Sequence, residues 1–139
     1  MPTVSVIIHT YNNEKFVAET IESVLDQTYK DYEIIVVDDG SVDGTRDALM
    51  PYMQKIRYHY KENGGIASAK NAGIKLSQAE FAAFLDHDDL WMPDKLQLQI
   101  ECFSENPQVG LVYAKYTSFR EGKELRTKPE KGYSGWIFK

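Results

Sequence analysis

The stretch VSVIIHTYNNEKFVAETIESVL, residues 4–25, sets the reading of the whole chain. Val4 to Thr10 is an apolar run rich in β-branched side chains, the composition of a strand buried on both faces. After a polar loop, Val17, Ile21, Val24 and Leu25 recur on one face at helical spacing. The same alternation continues downstream. Glu33 to Val37 is apolar after its first residue, and Asp43-Gly44-Thr45 offers an N-cap for a short helix running up to the breaker Pro51. Arg57 to Tyr60 reads as a short third strand, and the turn Asn63-Gly64-Gly65 leads into a helix over Ile66 to Leu76. Phe81 to Leu85 is the fourth strand. Pro93 suits the first turn of a helix carrying Leu96, Ile100 and Phe103 on one face and stopped near Pro107. Val109 to Ala114 and Tyr116 to Phe119 are expected as closing strands, with a turn at Glu121-Gly122. Strands that are apolar throughout, each separated by a helix, predict an α/β fold with a mostly parallel sheet and helices on both faces.

Bulk properties bound this reading. With 139 residues, 42% hydrophobic content and a net charge of −5, the chain is expected to be one globular domain, residues 1–139, or a piece of a larger one. The acidic balance argues against nucleic acid as a partner. No apolar run approaches the ~18 residues needed to span a bilayer, and the N-terminus has neither a basic region nor a long apolar one. No membrane span and a cytoplasmic location are therefore expected. Cys102 is the only cysteine, which excludes an intramolecular disulfide and a thiolate metal cluster, and its helical pattern makes it a small core residue.

The fourth strand ends in Asp86-His87-Asp88-Asp89, and the second in Asp38-Asp39. In open α/β sheets the crevice beyond the carboxyl ends of the strands takes the ligand. Those ends carry Thr10-Tyr11-Asn12, Asp38-Asp39, and Asp86 with Asp88. Acids converging there repel one another unless a cation offsets them. Oxygen donors without a His/Cys cluster favour Mg²⁺ or Mn²⁺, ions that commonly bridge to substrate phosphates. The bland alternative is a solvated acidic turn that caps the helix near Pro93. The loop HTYNNEK contains no glycine, which excludes the Gly-rich pyrophosphate turn of nicotinamide and NTP-binding folds. Asp39 is placed to accept a hydrogen bond from a base or ribose, and Tyr11 offers a ring face or a hydroxyl, or simply packs at a strand end. Lys70 either meets the nucleotide or is solvated.

On these residues the chain resembles the family 2 glycosyltransferases of the GT-A fold, inverting enzymes that use nucleotide-sugar donors. The resemblance runs from Val4 to about Ala114, through SVIIHTYNNEKFVAETIESVLDQTYKDYEIIVVDDGSVDGT, ENGGIASAKNAGI and FLDHDDLWMPDKL in order. It implies uracil and ribose contacts at Thr10, Tyr11 and Asp39, with Asp38 beside them. It places a DxD motif on Asp86-His87-Asp88, with Asp88 as the direct metal ligand and Asp86 serving the ribose or the metal's waters, and it makes Asp89 structural. The implied cofactor is Mn²⁺ or Mg²⁺, and the implied donor is a nucleotide-diphospho-sugar, with UDP-sugar first. Two departures stand out. Lys70 sits in AKN where relatives have ARN, which keeps a charge but not a bidentate fork, and His9 replaces a common proline. His87 is expected to point away from the metal, and His59 carries no signal.

The family's catalytic base lies well after the DxD motif, and none of Asp94, Glu101, Glu105, Glu121, Glu124 or Glu130 sits in a matching context. The resemblance therefore implies a donor-binding part that lacks the acceptor segment, with the base expected beyond Lys139. The carbohydrate, lipid or protein acceptor is not specified. An exposed patch at Trp136, Ile137 and Phe138 would favour self-association. Competing readings are a donor-binding module without activity, a Mg²⁺-dependent phosphohydrolase suggested by Asp43-Gly44-Thr45, and a receiver-type acidic pocket.

Overall fold

Val4–Thr10 forms the central strand β1, and all of its seven residues are buried. The computed structural model describes residues 1–120 and 123–128. Helix α1 (Val17–Leu25) leads to β2 (Tyr32–Asp38), then α2 (Thr45–Leu49) with a 3₁₀ turn at Met50–Tyr52, β3 (Arg57–Tyr60), α3 (Ile66–Leu76), β4 (Phe81–Asp86) and α4 (Lys95–Glu105). The four strands are parallel in the order β3-β2-β1-β4. The chain thus moves outward from β1 to β3, then crosses back over β1 to lay down β4. Right-handed crossovers in opposite directions put α3 on one face and α1 with α2 on the other, which is why β1 is covered on both sides.

Alternation along β1 assigns the faces. Ile7 pairs in register with Ile35, and Ile35 and Val37 pack with Ala69, Ala72 and Leu76 of α3. Ser5 and His9 share that face, and Ser77 at the end of α3 donates to the Ser5 hydroxyl at 2.8 Å. Gly73 lets α3 lie close to β1, because a Cβ there would fall on the Ile7 Cγ2 methyl, well inside contact distance. Gly73→Ala is therefore expected to destabilise the fold. Overpacking costs about 1–3 kcal/mol, whereas alanine regains only ~1 kcal/mol of helix propensity. Urea denaturation should show a lowered midpoint, and a raised one would mean that Ile7 yields freely.

The chain falls into two compact units, Met1–Gln97 and Leu98–Lys139. The first contains the parallel sheet. In the second, β5 (Tyr116–Arg120) pairs antiparallel with β6 (Lys123–Lys128) as a separate ribbon. The expected strand at Tyr116–Phe119 thus exists but does not close the parallel sheet, and Val109–Ala114 forms no strand. Apolar composition at Val109–Ala114 is not enough: strand formation also requires a partner edge for the backbone N–H and C=O groups, and Leu111 and Tyr113 remain exposed. Pro51 lies inside the 3₁₀ turn and Pro93 just before α4, each displaced slightly from its expected boundary. The turn at Glu121-Gly122, Glu130 and the Trp136-Ile137-Phe138 patch lie outside the described residues. No helix among the described residues is long and apolar enough to cross a membrane.

Candidate functional site

The reversal of strand order falls between β1 and β4, so their carboxyl ends frame the crevice where open α/β sheets bind ligands. Thr10 ends β1 fully buried, and its carbonyl accepts the Asp39 N–H at 2.9 Å. Tyr11 follows, 45% exposed, with its ring available to a ligand. Asn12 then adopts a positive φ of 48°, the left-handed conformation that a glycine would otherwise supply. Its side-chain oxygen accepts the Val42 N–H at 2.8 Å and its own N–H donates to the Ser41 hydroxyl at 2.9 Å, so the glycine-free loop is held by side chains.

On the β4 side, Lys70 of α3 donates to Asp86 Oδ1 at 2.9 Å, with both side chains partly exposed. Lys70 is thus neither free nor merely solvated. His9 lies beneath, buried, with its Nδ1 3.5 Å from the same oxygen. That distance is too long for a good hydrogen bond, and Nδ1 has no partner. Burial lowers the His9 pKa despite the nearby Asp86, so the contact is not a true ion pair. His87 turns back toward β1. Tyr11 N–H donates to its Nδ1 at 3.3 Å, Thr10 Oγ1 lies 3.1 Å from the same atom, and the ring stacks on His9 at 5.5 Å. Accepting at Nδ1 assigns the proton to Nε2.

The backbone turns at Asp86–Asp89, with Asp89 N–H donating to the Asp86 carbonyl at 3.1 Å. Burial raises the Asp89 pKa, and Asp88 and Asp86 add to the rise, so the three carboxylates sense one another. Asp88 is exposed. These acids are hard oxygen donors on one turn. Among the described residues no group of three or more His, Cys, Asp and Glu is arranged to hold a metal. Asp86 and Asp88 are the kind of donor that an ion such as Mg²⁺ or Mn²⁺, which draws most of its ligands from water and phosphate, would use.

The structure does not bring all the predicted acids together. Asp38 is buried under the α2 face, where its carboxylate accepts the Ser41 N–H at 2.8 Å and the Tyr58 hydroxyl at 2.7 Å. Asp39 is buried with Lys61 Nζ at 2.5 Å, Gly64 N–H at 3.1 Å and Gly65 N–H at 2.7 Å. Burial opposes ionisation of Asp39, but those hydrogen bonds outweigh it and hold the pKa below the usual carboxylate range. A base or ribose donor at Asp39 thus meets an acceptor already engaged. Lysines answer the clustered charge: Lys61 for Asp39 and Lys70 for Asp86. Sequence reasoning passed over Lys61, although its place directly after β3 puts it at the same sheet edge. Asp43, the basis of the phosphohydrolase reading, accepts from Thr45 N–H at 3.0 Å and Glu14 N–H at 3.2 Å, a side-chain-to-backbone turn leading into α2.

Comparison with known proteins agrees with this geometry. The profile of glycosyl transferase family 2 matches residues 5–137. An uncharacterized glycosyltransferase of Rickettsia typhi is 44% identical over 137 residues, which cover 96% of this chain and 43% of that protein. This chain thus spans less than half the length of the curated relatives it matches first. The crystal structure of S. aureus TarS 1–349 in complex with UDP-GlcNAc superposes with a TM-score of 0.69 at 31% identity, covering 77% of this chain and 32% of that one. A mannosyltransferase from Pyrobaculum calidifontis, in complex with GDP-Man and Mn²⁺, gives a TM-score of 0.69 at 29% identity, covering 78% and 34%. With the profile matched over almost its whole length and a relative 44% identical, this chain belongs to glycosyl transferase family 2.

Proposed function

We propose that residues 1–139 form one nucleotide-sugar-binding domain of an inverting glycosyltransferase that transfers sugar from a UDP-sugar to an acceptor hydroxyl. The observation that carries this reading is the convergence of Thr10, Tyr11, Lys70 and Asp86 at the β1–β4 switch point, with Asp88 exposed beside them. The base that activates the acceptor belongs, on this reading, to a segment beyond Lys139. TarS crystallised with UDP-GlcNAc supports the donor class, and the mannosyltransferase with Mn²⁺ supports a divalent ion.

The residues divide the work as follows. Tyr11 presents its ring to the base, and Asp39 accepts from the nucleoside by sharing or exchanging its Lys61 bond. Asp86 and Asp88 would hold Mn²⁺ or Mg²⁺, whose charge offsets the departing diphosphate. Lys70, released from Asp86 when the ion binds, adds a second positive charge at the phosphates, where negative charge grows as the sugar leaves. The test is calorimetric titration of UDP and GDP into the chain with Mn²⁺ and with chelator. Tighter UDP binding with Mn²⁺ is expected, and a hundredfold excess over Kd should stabilise the fold by about 2.7 kcal/mol. Equal affinity with ion and with chelator would overturn the metal dependence, and equal UDP and GDP affinities would overturn the base preference.

A further inference from the structure

The chain that leaves the acidic turn has little regular structure before α4, yet its backbone is bound at Asp89, Trp91, Met92 and Leu96 by side chains from α1 and the chain just beyond it. Thr20 Oγ1 donates to the Asp89 carbonyl at 3.0 Å, and Trp91 N–H donates to the Ser23 hydroxyl at 3.2 Å. Gln27 Nε2 donates to the Met92 carbonyl at 2.7 Å, while its Oε1 accepts the Leu96 N–H at 2.9 Å. Thr20 and Ser23 lie about one turn apart on α1, and Gln27 follows two residues past its end. Thr20 and Gln27 are fully buried. A leucine at position 27 would be buried more easily than a carboxamide, which is costly unless every hydrogen bond is made. Here the amide makes bonds on both its oxygen and its nitrogen, the latter also reaching the Ser23 carbonyl at 3.2 Å. All the bonds from Thr20, Ser23 and Gln27 to this stretch go to backbone atoms, so none of them engages the carboxylates of Asp86, Asp88 and Asp89.

From this we infer that Gln27, supported by Thr20 and Ser23, is a positioning residue that pre-orders the acidic turn for the metal-diphosphate end of the donor. The inference rests on the proposed function and deepens it. Mutual repulsion among the three carboxylates favours a splayed turn, and Thr20, Ser23 and Gln27 fix the stretch by which it leaves, Asp89 to Leu96, before any ligand arrives. Binding then does not have to order it. Without the carboxamide the turn is mobile in the free chain and the ligand must order it.

The experiment compares wild type, Gln27→Leu and Thr20→Val. Thr20→Val is isosteric and carries the test if Gln27→Leu does not fold. Two readouts are taken below the melting range: amide hydrogen exchange of residues 86–92 in the free chain, and the ratio of UDP affinities measured with Mn²⁺ and with chelator. The variants should exchange faster across the turn while β1 stays protected, and the Mn²⁺-dependent gain in UDP affinity should fall about tenfold, as for outer-sphere partners of metal ligands. Affinity in chelator should be unchanged. A residue that merely stabilises the fold would lower the melting temperature and leave the affinity ratio intact, and that result in the folded variants would overturn the inference. A wild-type chain whose UDP affinity ignored Mn²⁺ would overturn the proposed metal dependence and this inference with it.

Discussion

Asp39→Ala is expected to lower the unfolding free energy by about 3–5 kcal/mol with no ligand present, the range for breaking a buried ion pair from one side. The substitution leaves the Lys61 ammonium, whose side chain is only 22% exposed, without its carboxylate. It also strips the acceptor from the N–H groups of Gly64 and Gly65, and Gly65 sits at a φ of 83° where the turn enters α3. Lys61→Met in the same background should recover part of the loss by removing the uncompensated charge. Denaturant unfolding of the four chains in the double-mutant cycle measures this, and a loss below about 1 kcal/mol would place the pair with weak surface bridges. Acid supplies a second check. The Asp39 pKa lies below its ordinary 3.8 in the folded chain, so its contribution is complete above that value and disappears as pH falls from there through the folded pKa. His9, lowered by burial from 6.5, loses its contribution earlier, as pH drops below that value. The gap between wild type and Asp39→Ala should therefore survive the first stage of acid loss and close only in the second.

The sheet could be read from the sequence because its strands are central and apolar. Val4–Thr10 and Ile34–Val37 have no other way to be buried than between two helical layers. The ribbon was half legible. Tyr116–Phe119 has strand composition, but Lys123–Lys128, KELRTK, carries the charge of an exposed edge and no apolar period. Among candidate site residues, the positions of Thr10, Tyr11 and Asp86 follow from strand ends alone. The partners of Asp38 and Asp39 do not follow, because Tyr58 of β3 and Lys61 just after it reach them, and the register of β3 on β2 is a tertiary fact. The buried carboxamide of Gln27 was equally hidden. An isolated glutamine two residues past a helix has no periodic signal, and its meaning lies in the carbonyl of Met92.

Asp88→Asn should have the opposite profile to Asp39→Ala. Stability should hold or rise slightly, since Asp88 is exposed and its charge contributes to the raised Asp89 pKa, after burial. UDP affinity in Mn²⁺ should fall about tenfold to a hundredfold, while affinity in chelator stays unchanged. Calorimetry with and without the ion, together with carboxyl NMR titration showing a reduced Asp89 pKa, checks both halves. If Asp88→Asn kept full Mn²⁺ dependence while Asp86→Asn lost it, the ligand role would pass to Asp86 and Lys70 would be its competitor. If both kept it, the acidic turn would not be the metal end of the site.

The placement of β1 between β2 and β4 also governs how the protein comes into being. Neither edge of β1 pairs with a neighbouring hairpin strand, and both pairings are parallel crossovers. During synthesis the first edge can close once β2 has emerged, but the second must wait until Asp86 has left the ribosome. Until then an apolar strand with unpaired N–H and C=O groups is a template for association with other chains. Parallel long-range pairing is intrinsically slow, so the late step is also the hazardous one. The β1–β4 crevice does not exist before that step, so donor binding, on the proposed function, would report completion of the sheet and rescue chains that stall just short of it.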